Sequence, residues 1–226
     1  MIGQSVGMGT TAMAAFVMAA CSLARATTID VTIDSTSLSG QPAVLAFDFI
    51  DGGPPANTVT LSALTSNGTL DSTSSTGNVS GSGPWIFSDA GPSFFNELQV
   101  KFNPMGTSLS FSFTTTDNAS SAGSLPDAFS LYVLDSSGAL PLITTDDPTG
   151  ADALFLFNLG AAREHGGPFT PNEAGFSITA TPVPEPGSAA LVLWGALGLA
   201  VRLRKLRSRP TTGGRRPGAR PRGFAR

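Results

Sequence analysis

Apolar and polar residues alternate along the first part of the chain that follows residue 26. Ile29, Val31 and Ile33 are separated by Asp30 and Thr32. A period of two places the apolar side chains on one face of an extended segment, which is typical of a half-buried β-strand. Similar runs occur at Ala43 to Ile50, Thr58 to Leu64, Glu97 to Phe102, Leu109 to Thr115, Phe129 to Leu134, Leu154 to Leu159 and Phe176 to Thr181. The pattern therefore predicts about eight strands.

Clusters of turn-forming residues separate these runs. Asp51 to Pro55 and Asp146 to Gly150 are rich in Asp, Gly and Pro, which favour turns. Strands at this spacing predict an all-β body, an antiparallel β-sandwich or jelly-roll-like domain at 27–181. Residues 68–83, rich in Ser, Thr and Gly, are expected to form a long mobile loop or a weak edge hairpin. Residues 91–98 are ambiguous between helix and strand.

A second apolar pattern lies near the C-terminus. The run Ala189 to Val201 is followed by the cations Arg202, Arg204, Lys205 and Arg207. We predict a single transmembrane helix at about 187–203, whose 17 residues would extend about 25 Å, close to the thickness of a bilayer core. The cations would hold its end in the cytoplasm. A buried helix of a soluble domain is the alternative, but such a helix seldom ends in a basic cluster.

The segment before this helix carries a short motif, Val183, Pro184, Glu185 and Pro186. With the apolar span and the basic cluster, the motif resembles the PEP-CTERM sorting domain, also labelled ice-binding protein C-terminal domain, here at 182–209. The resemblance implies recognition by an exosortase, a membrane-embedded cysteine transpeptidase, and cleavage near the motif. Members of this family usually stop soon after the basic cluster, whereas this chain continues through 210–226. That stretch, rich in Pro, Gly and Arg, is expected to be a disordered basic tail.

The N-terminus is typical of a secretory leader. A short apolar stretch precedes Ala24 and Ala26, the small residues at alternate positions that a signal peptidase requires. We predict a signal peptide at 1–26, containing the signal helix, and a mature chain that begins at Thr27. Cys21 gives an alternative, as the acceptor of a lipoprotein anchor. In either case the protein is exported. It would be a single-pass intermediate of the inner membrane before it reaches the cell surface or the extracellular space.

Charge is distributed unevenly along the chain. Ten of the 13 Lys and Arg residues lie at or after Arg202, whereas all 16 acids lie between Asp30 and Glu185. Lys101 and Arg163 are the only cations in that acidic region, which therefore carries a formal charge of −14. Binding to nucleic acid requires cations that neutralise phosphates. We therefore expect no nucleic-acid partner and a body that is soluble outside the cell.

The residues that usually carry catalysis are scarce. The only histidine is His165, flanked by Gly166, and we interpret it as a solvated loop residue. The body contains no cysteine, so cysteine catalysis, disulfides and a zinc site built from Cys are excluded. Paired carboxylates are common enough that a glycoside hydrolase remains a remote alternative. We expect no enzyme activity and no obligatory cofactor.

Calcium is the one metal that the composition allows. Asp48 and Asp51 flank one turn, and Asp146, Asp147 and Asp152 cluster in another. Carboxylates in loops supply the oxygen ligands that calcium prefers. Asp is also common in turns without any metal, and this simpler interpretation is favoured.

The function is predicted from the export signals rather than from the body. The segments Ala46 to Gly52 and Thr144 to Gly150 resemble a group of uncharacterised PEP-CTERM proteins, and this resemblance implies no activity. We expect a cell-surface or matrix protein with a structural or adhesive role, with signal peptidase, exosortase, the membrane and exopolysaccharide as partners. The alternative is a calcium-assisted carbohydrate-binding module, in which Trp85 or Tyr132 would offer an aromatic platform for sugar.

Overall fold

The computed structural model describes residues 25–118, 125–160 and 166–183. The chain separates into two compact units, Met1–Pro184 and Glu185–Arg226, and every described residue belongs to the first. The predicted signal helix, the Pro184-Glu185-Pro186 triplet, the predicted transmembrane helix and the basic tail lie outside the described residues. Within the described ranges no helix is long and apolar enough to cross a membrane.

The described residues fold as β-structure, with one short 3-10 turn at Thr36–Leu38. The strands are β1 (Arg25–Asp34), β2 (Ala43–Ile50), β3 (Thr58–Ser66), β4 (Leu70–Thr76), β5 (Val79–Gly81), β6 (Trp85–Ser88), β7 (Phe95–Phe102), β8 (Ser108–Asp117), β9 (Asp127–Leu134), β10 (Phe155–Leu159) and β11 (Ser177–Val183). The prediction of an all-β body is confirmed.

The strands form two antiparallel sheets. The six-stranded sheet has the order β11-β1-β8-β3-β6-β5, and the five-stranded sheet has the order β10-β9-β2-β7-β4. Most connections cross from one sheet to the other, because successive strands alternate between the sheets except in the pairs β5–β6 and β9–β10. As a result, residues far apart in the sequence meet at the ends of the sheets.

A core rich in phenylalanine joins the two sheets. Phe113 of β8 lies at its centre and is fully buried. Its ring centroid is 5.1 Å from that of Phe129 and 5.4 Å from those of Phe155 and Phe157, all on the five-stranded sheet. Phe47 of β2 contacts Phe111 of β8 edge to face at 5.1 Å. Aromatic pairs at these separations stabilise beyond the area that they bury.

Three strands were not predicted from the sequence. Residues 68–83 do not form a long loop: β4 lies at the edge of the five-stranded sheet, while β5, at the edge of the other sheet, forms a hairpin with β6. Every residue of β4 is exposed. Its Ser and Thr residues show no alternation of apolar and polar side chains, because backbone pairing with β7 alone holds the strand. The ambiguous segment 91–98 resolves as the start of β7 at Phe95.

One end of the two sheets collects several loops, and we call it the aspartate end. Here β2 ends at Ile50, β3 begins at Thr58, β6 ends at Ser88 and β9 begins at Asp127. Thr58 pairs with Ser88 in one sheet, and Ile50 pairs with residue 128 in the other. The beginning of β1 and the end of β11 lie at this end too, since Thr28 is paired with Val183 and with Thr114.

The core predicts a strong effect of truncating its central ring. Phe113→Ala should lower the free energy of unfolding by about 3–5 kcal/mol, because it removes a buried ring and leaves a cavity between the sheets. The matched control, Thr32→Ala, changes an exposed strand residue and should cost less than about 1 kcal/mol. Urea denaturation followed by circular dichroism measures both values. Equal costs for the two variants would contradict this description of the core.

Candidate functional site

Three aspartates converge at the aspartate end. Asp51, Asp89 and Asp127 each place a carboxylate oxygen within 4.8 Å of the others. Asp51 follows β2 directly, Asp89 follows β6, and Asp127 is the first residue of β9. Asp89 and Asp127 are buried, while Asp51 is half-buried. The topology of the two sheets therefore assembles a cluster from three distant parts of the chain.

Local backbone geometry holds two of these carboxylates in place. Asp51 Oδ1 accepts a hydrogen bond from the amide of Gly53 at 2.6 Å. The amide of Gly52 donates to Asp127 Oδ1 at 2.7 Å. A side chain at position 52 would collide with the backbone carbonyl groups of Leu125 and Pro126. Only glycine fits there, so the turn after β2 can approach the start of β9 closely enough to bring Asp51 to Asp127.

Asn57 connects the other carboxylates. Its backbone amide donates to both oxygens of Asp89, at 2.7 and 2.9 Å. Its side-chain Nδ2 donates to Asp127 Oδ2 at 2.6 Å. Its Oδ1 accepts hydrogen bonds from Thr116 Oγ1 at 3.0 Å and from the amide of Asn118 at 2.9 Å. Asn57 is itself buried, and its hydrogen bonds join loops of both sheets.

The electrostatics of the cluster are unfavourable for three full negative charges. Burial raises the pKa of Asp89 to about 6, the hydrogen bond from Asn57 opposes this, and the nearby charges of Asp127 and Asp51 add to it. The hydrogen-bond donors to these carboxylates in the described part of the chain are neutral amides. A proton or a bound cation would relieve the repulsion.

A pocket opens beside the cluster. Its volume is about 210 Å³, and Asp51, Gly53, Pro54, Ala56 and Asp89 line it. The carboxylates offer hard oxygen ligands, and the pocket provides room for the waters that complete the shell of a calcium ion. This donor set fits Ca²⁺ and lacks the His or Cys ligands of a zinc site.

No family model, curated protein or solved structure matches this chain.

Of the aspartates considered from the sequence, only Asp51 belongs to this cluster. Asp147 and Asp152 instead brace the turn in which they lie, and Asp146 ties that turn to the segment at Thr170. Asp146 Oδ1 accepts from the amide of Thr170 at 2.6 Å, and Asp152 Oδ1 accepts from the amide of Thr145 at 3.0 Å.

Asp147 is tied in the same manner but by more donors. Its Oδ1 accepts from the amide of Thr149 at 2.9 Å, and its Oδ2 accepts from the amide of Ala153 at 3.2 Å. Burial raises its pKa, but the hydrogen bonds from Thr149, Ala153 and Ala151 outweigh this and hold the pKa below its usual value. The hydrogen bonds of this turn match the simpler interpretation of its aspartates as turn residues.

Asp48 lies away from the cluster, on the outer face of the five-stranded sheet. It pairs with Glu97 of β7 on one side and with Ser130 of β9 on the other. Its Oδ1 is buried and has no hydrogen-bond partner within the described ranges. Burial, followed by the charge of Glu97, raises the pKa of Asp48 to about 7. Asp48 is thus a desolvated carboxyl group, and it does not belong to the cluster of aspartates that could hold a metal ion.

The remaining predicted site residues are placed as follows. Trp85 is half-buried on β6 and packs partly against the core, and Tyr132 is half-buried on β9. Ala26 lies in β1, and Val183 ends β11. Other predicted positions lie outside the described residues: Ala24, Pro184, Glu185, Pro186, Arg202, Arg204, Lys205, Arg207 and His165.

The sequence reading missed Asp89, Asp127 and Asn57. The sequence does contain a signal for the two aspartates. Asp89 follows an apolar run, as Asp51 does, and Asp127 precedes one. Acidic residues at strand ends can share one end of a sheet. Which ends meet, however, depends on the order of the strands, and that order is not visible in a single sequence.

The raised pKa of the buried Asp48 carboxyl predicts that stability depends on pH. Its pKa is near 3.8 in the unfolded chain and about 7 in the folded one, so folding favours the protonated form. Below pH 4 the carboxyl of Asp48 is protonated in both states and does not destabilise the folded protein. As the pH rises towards 7, it increasingly lowers the free energy of unfolding. Asp48→Asn should therefore gain about 1 to 4 kcal/mol over wild type at pH 8 and little at pH 4.

The control is Asp71→Asn, at an exposed position of β4. Thermal unfolding at pH 4, 6 and 8 measures the three proteins. An Asp48→Asn advantage that is the same at every pH would contradict the assignment.

Proposed function

We propose that the chain is an exported protein, sorted by an exosortase to the cell surface or the extracellular matrix. Its β body acts there structurally or adhesively, without catalysis. The leader that ends at Ala26 and the Pro184-Glu185-Pro186 motif support this proposal from the sequence. The protein passes through the inner membrane as a single-pass intermediate, held by residues 187–203.

The pairing of the first and last strands is the structural observation that carries the proposal. Thr28, next to the predicted mature N-terminus, is paired with Val183, the residue before the triplet. Processing before Thr27 would remove only Arg25 and Ala26 from the start of β1, and Thr28 to Asp34 would keep their pairing with β11. Such an arrangement suits a domain that is released whole from a leader and a sorting signal.

The architecture supports a structural role. We assign it as a β-sandwich with jelly-roll-like order, since the chain alternates between two facing sheets through β1 to β4 and the first eight strands place β1 beside β8. The body contains no cysteine, so its stability comes from the phenylalanine core and is insensitive to reductant. An acidic surface keeps it soluble outside the cell.

A calcium-assisted carbohydrate-binding module is the second candidate. The cluster of Asp51, Asp89 and Asp127 beside a pocket of about 210 Å³ favours it. A bound ion would neutralise the three carboxylates and complete its shell with waters or with the hydroxyl groups of a sugar. In this function the aspartate end is the binding surface.

Glu185→Ala tests the sorting proposal. If the triplet is the processing signal, the variant should insert in the membrane but accumulate there at full length, because Glu185 supplies the only charge of the motif. Fractionation and mass spectrometry of a body carrying an epitope tag give the location and the mass. The matched control is Glu173→Ala, at an exposed acid in the body, which should mature normally. Normal surface delivery of the Glu185 variant at its mature mass would overturn exosortase sorting.

Calcium titration tests the second candidate. Ca²⁺ at ten times its Kd should stabilise the protein by about 1.4 kcal/mol and raise its Tm by about 3–6 °C, an effect that a chelator reverses. Asp89→Asn should abolish the rise. Asp146→Asn, in the other aspartate turn, should preserve it. A Tm that is unchanged in wild type at millimolar Ca²⁺ excludes the calcium-assisted module.

A further inference from the structure

Lys101 is an isolated cation on an acidic body. The chain contains two lysines, and the other, Lys205, lies in the C-terminal basic cluster. Lys101 lies on β7, paired with Val44 of β2 and with Ser72 of β4. It is half-buried, and its ammonium group forms no ion pair or hydrogen bond within the described ranges. A cation of this kind would usually pair with one of the many carboxylates of the body.

Lys101 lines a cavity of about 120 Å³ on the outer face of the five-stranded sheet. Buried Val44 lies on one side of this cavity. Its other lining residues carry hydroxyl or amide groups: Ser72, Ser74, Gln99, Ser136 and Ser137. No carboxylate lines it. We call this cavity the Lys101 pocket.

One wall of the Lys101 pocket is a braced turn rather than a loose loop. Asp135 Oδ1 accepts hydrogen bonds from the amide and the hydroxyl of Ser137, at 3.2 and 2.6 Å, and from the amide of Ala139 at 3.1 Å. Gly138 has a φ of 74° and lies against the amide of Gln99, where a side chain would crowd that group. The turn therefore keeps Ser137 beside the sheet.

The chemistry of the Lys101 pocket selects its ligand. An unpaired ammonium group favours an anion, and the absence of lining carboxylates excludes a metal ion. Serine hydroxyls and an amide exchange hydrogen bonds with the hydroxyl groups of a sugar ring. The volume of about 120 Å³ is enough for a carboxylate and the adjoining edge of a ring.

We propose that the Lys101 pocket binds the carboxylate of an acidic sugar, a uronate residue of an extracellular polysaccharide. Lys101 Nζ donates to the carboxylate, and Ser72, Ser74 and Ser136 bind the ring hydroxyls. The inference rests on the proposed adhesive function, for which it names the chemistry of the partner. The aspartate end, at the loops, takes no part in it.

The experiment follows the NMR signal of Lys101 in the full-length chain. The protein is kept in a polyoxyethylene detergent, which carries no sugar. Reductive methylation with ¹³C-formaldehyde preserves the lysine charge and gives one NMR signal for each of the two lysines. Lys101→Arg identifies the signal by removing it. Galacturonate should shift the Lys101 signal saturably, and polygalacturonate should do so at lower concentration of sugar. Galactose, the neutral analogue, should leave it unchanged.

Two variants locate the sugar contacts. Ser74→Ala should weaken the galacturonate affinity read at Lys101 by roughly 3–10-fold, the loss expected for one hydrogen bond. Ser80→Ala, at an exposed serine of β5, should leave the affinity unchanged. An equal response to acetate and galacturonate, or no saturable shift, overturns the proposal. Neither outcome bears on sorting, because the binding measurement does not require cleavage near Glu185.

Discussion

The aspartate end depends on the hydrogen bonds of one buried asparagine. Asn57 donates to two carboxylates, Asp89 and Asp127, and accepts from the end of β8. A neutral amide is the donor here, where a lysine or an arginine would have cancelled the charge. The loops are therefore ordered while the carboxylates keep their negative charge or hold a proton. Burial, together with the close carboxylates, raises the pKa of Asp89, so the cluster favours a proton.

The aromatic core stabilises the structure away from this cluster. Phe113 reaches three rings of the opposite sheet, and Phe47 reaches across to Phe111. Because these contacts lie between the sheets, they fix the separation of the two layers and hence the position of every loop at their ends. The polar outer faces are then free to carry other chemistry. The Lys101 pocket occupies one of them, and Asp48 lies on the same face.

Sequence patterns predicted eight of the strands and missed β4, which is exposed throughout, and the short strands β5 and β6. The run containing Ile29, Val31 and Ile33 was recognised because its inner face is apolar. β4 was missed because its serines and threonines lie exposed at the edge of a sheet. Backbone pairing does not require apolar side chains, so no alternating pattern marked the strand. The candidate site was likewise predicted only in part. Asp51 was recognised beside a turn, but its partners Asp89 and Asp127 reach it only through the order of the strands.

The pairing of β1 also constrains when the body can fold. Val31 is paired with Phe111 and with Ala180, so the first strand gains one neighbour only after β8 is available and the other only after β11, the last strand. A chain threaded through a translocation channel from its N-terminus cannot complete the six-stranded sheet while its last strand remains on the other side. Long-range pairing of this kind slows folding. If the protein is exported as proposed, emergence of β11 is the event that completes the pairing of β1.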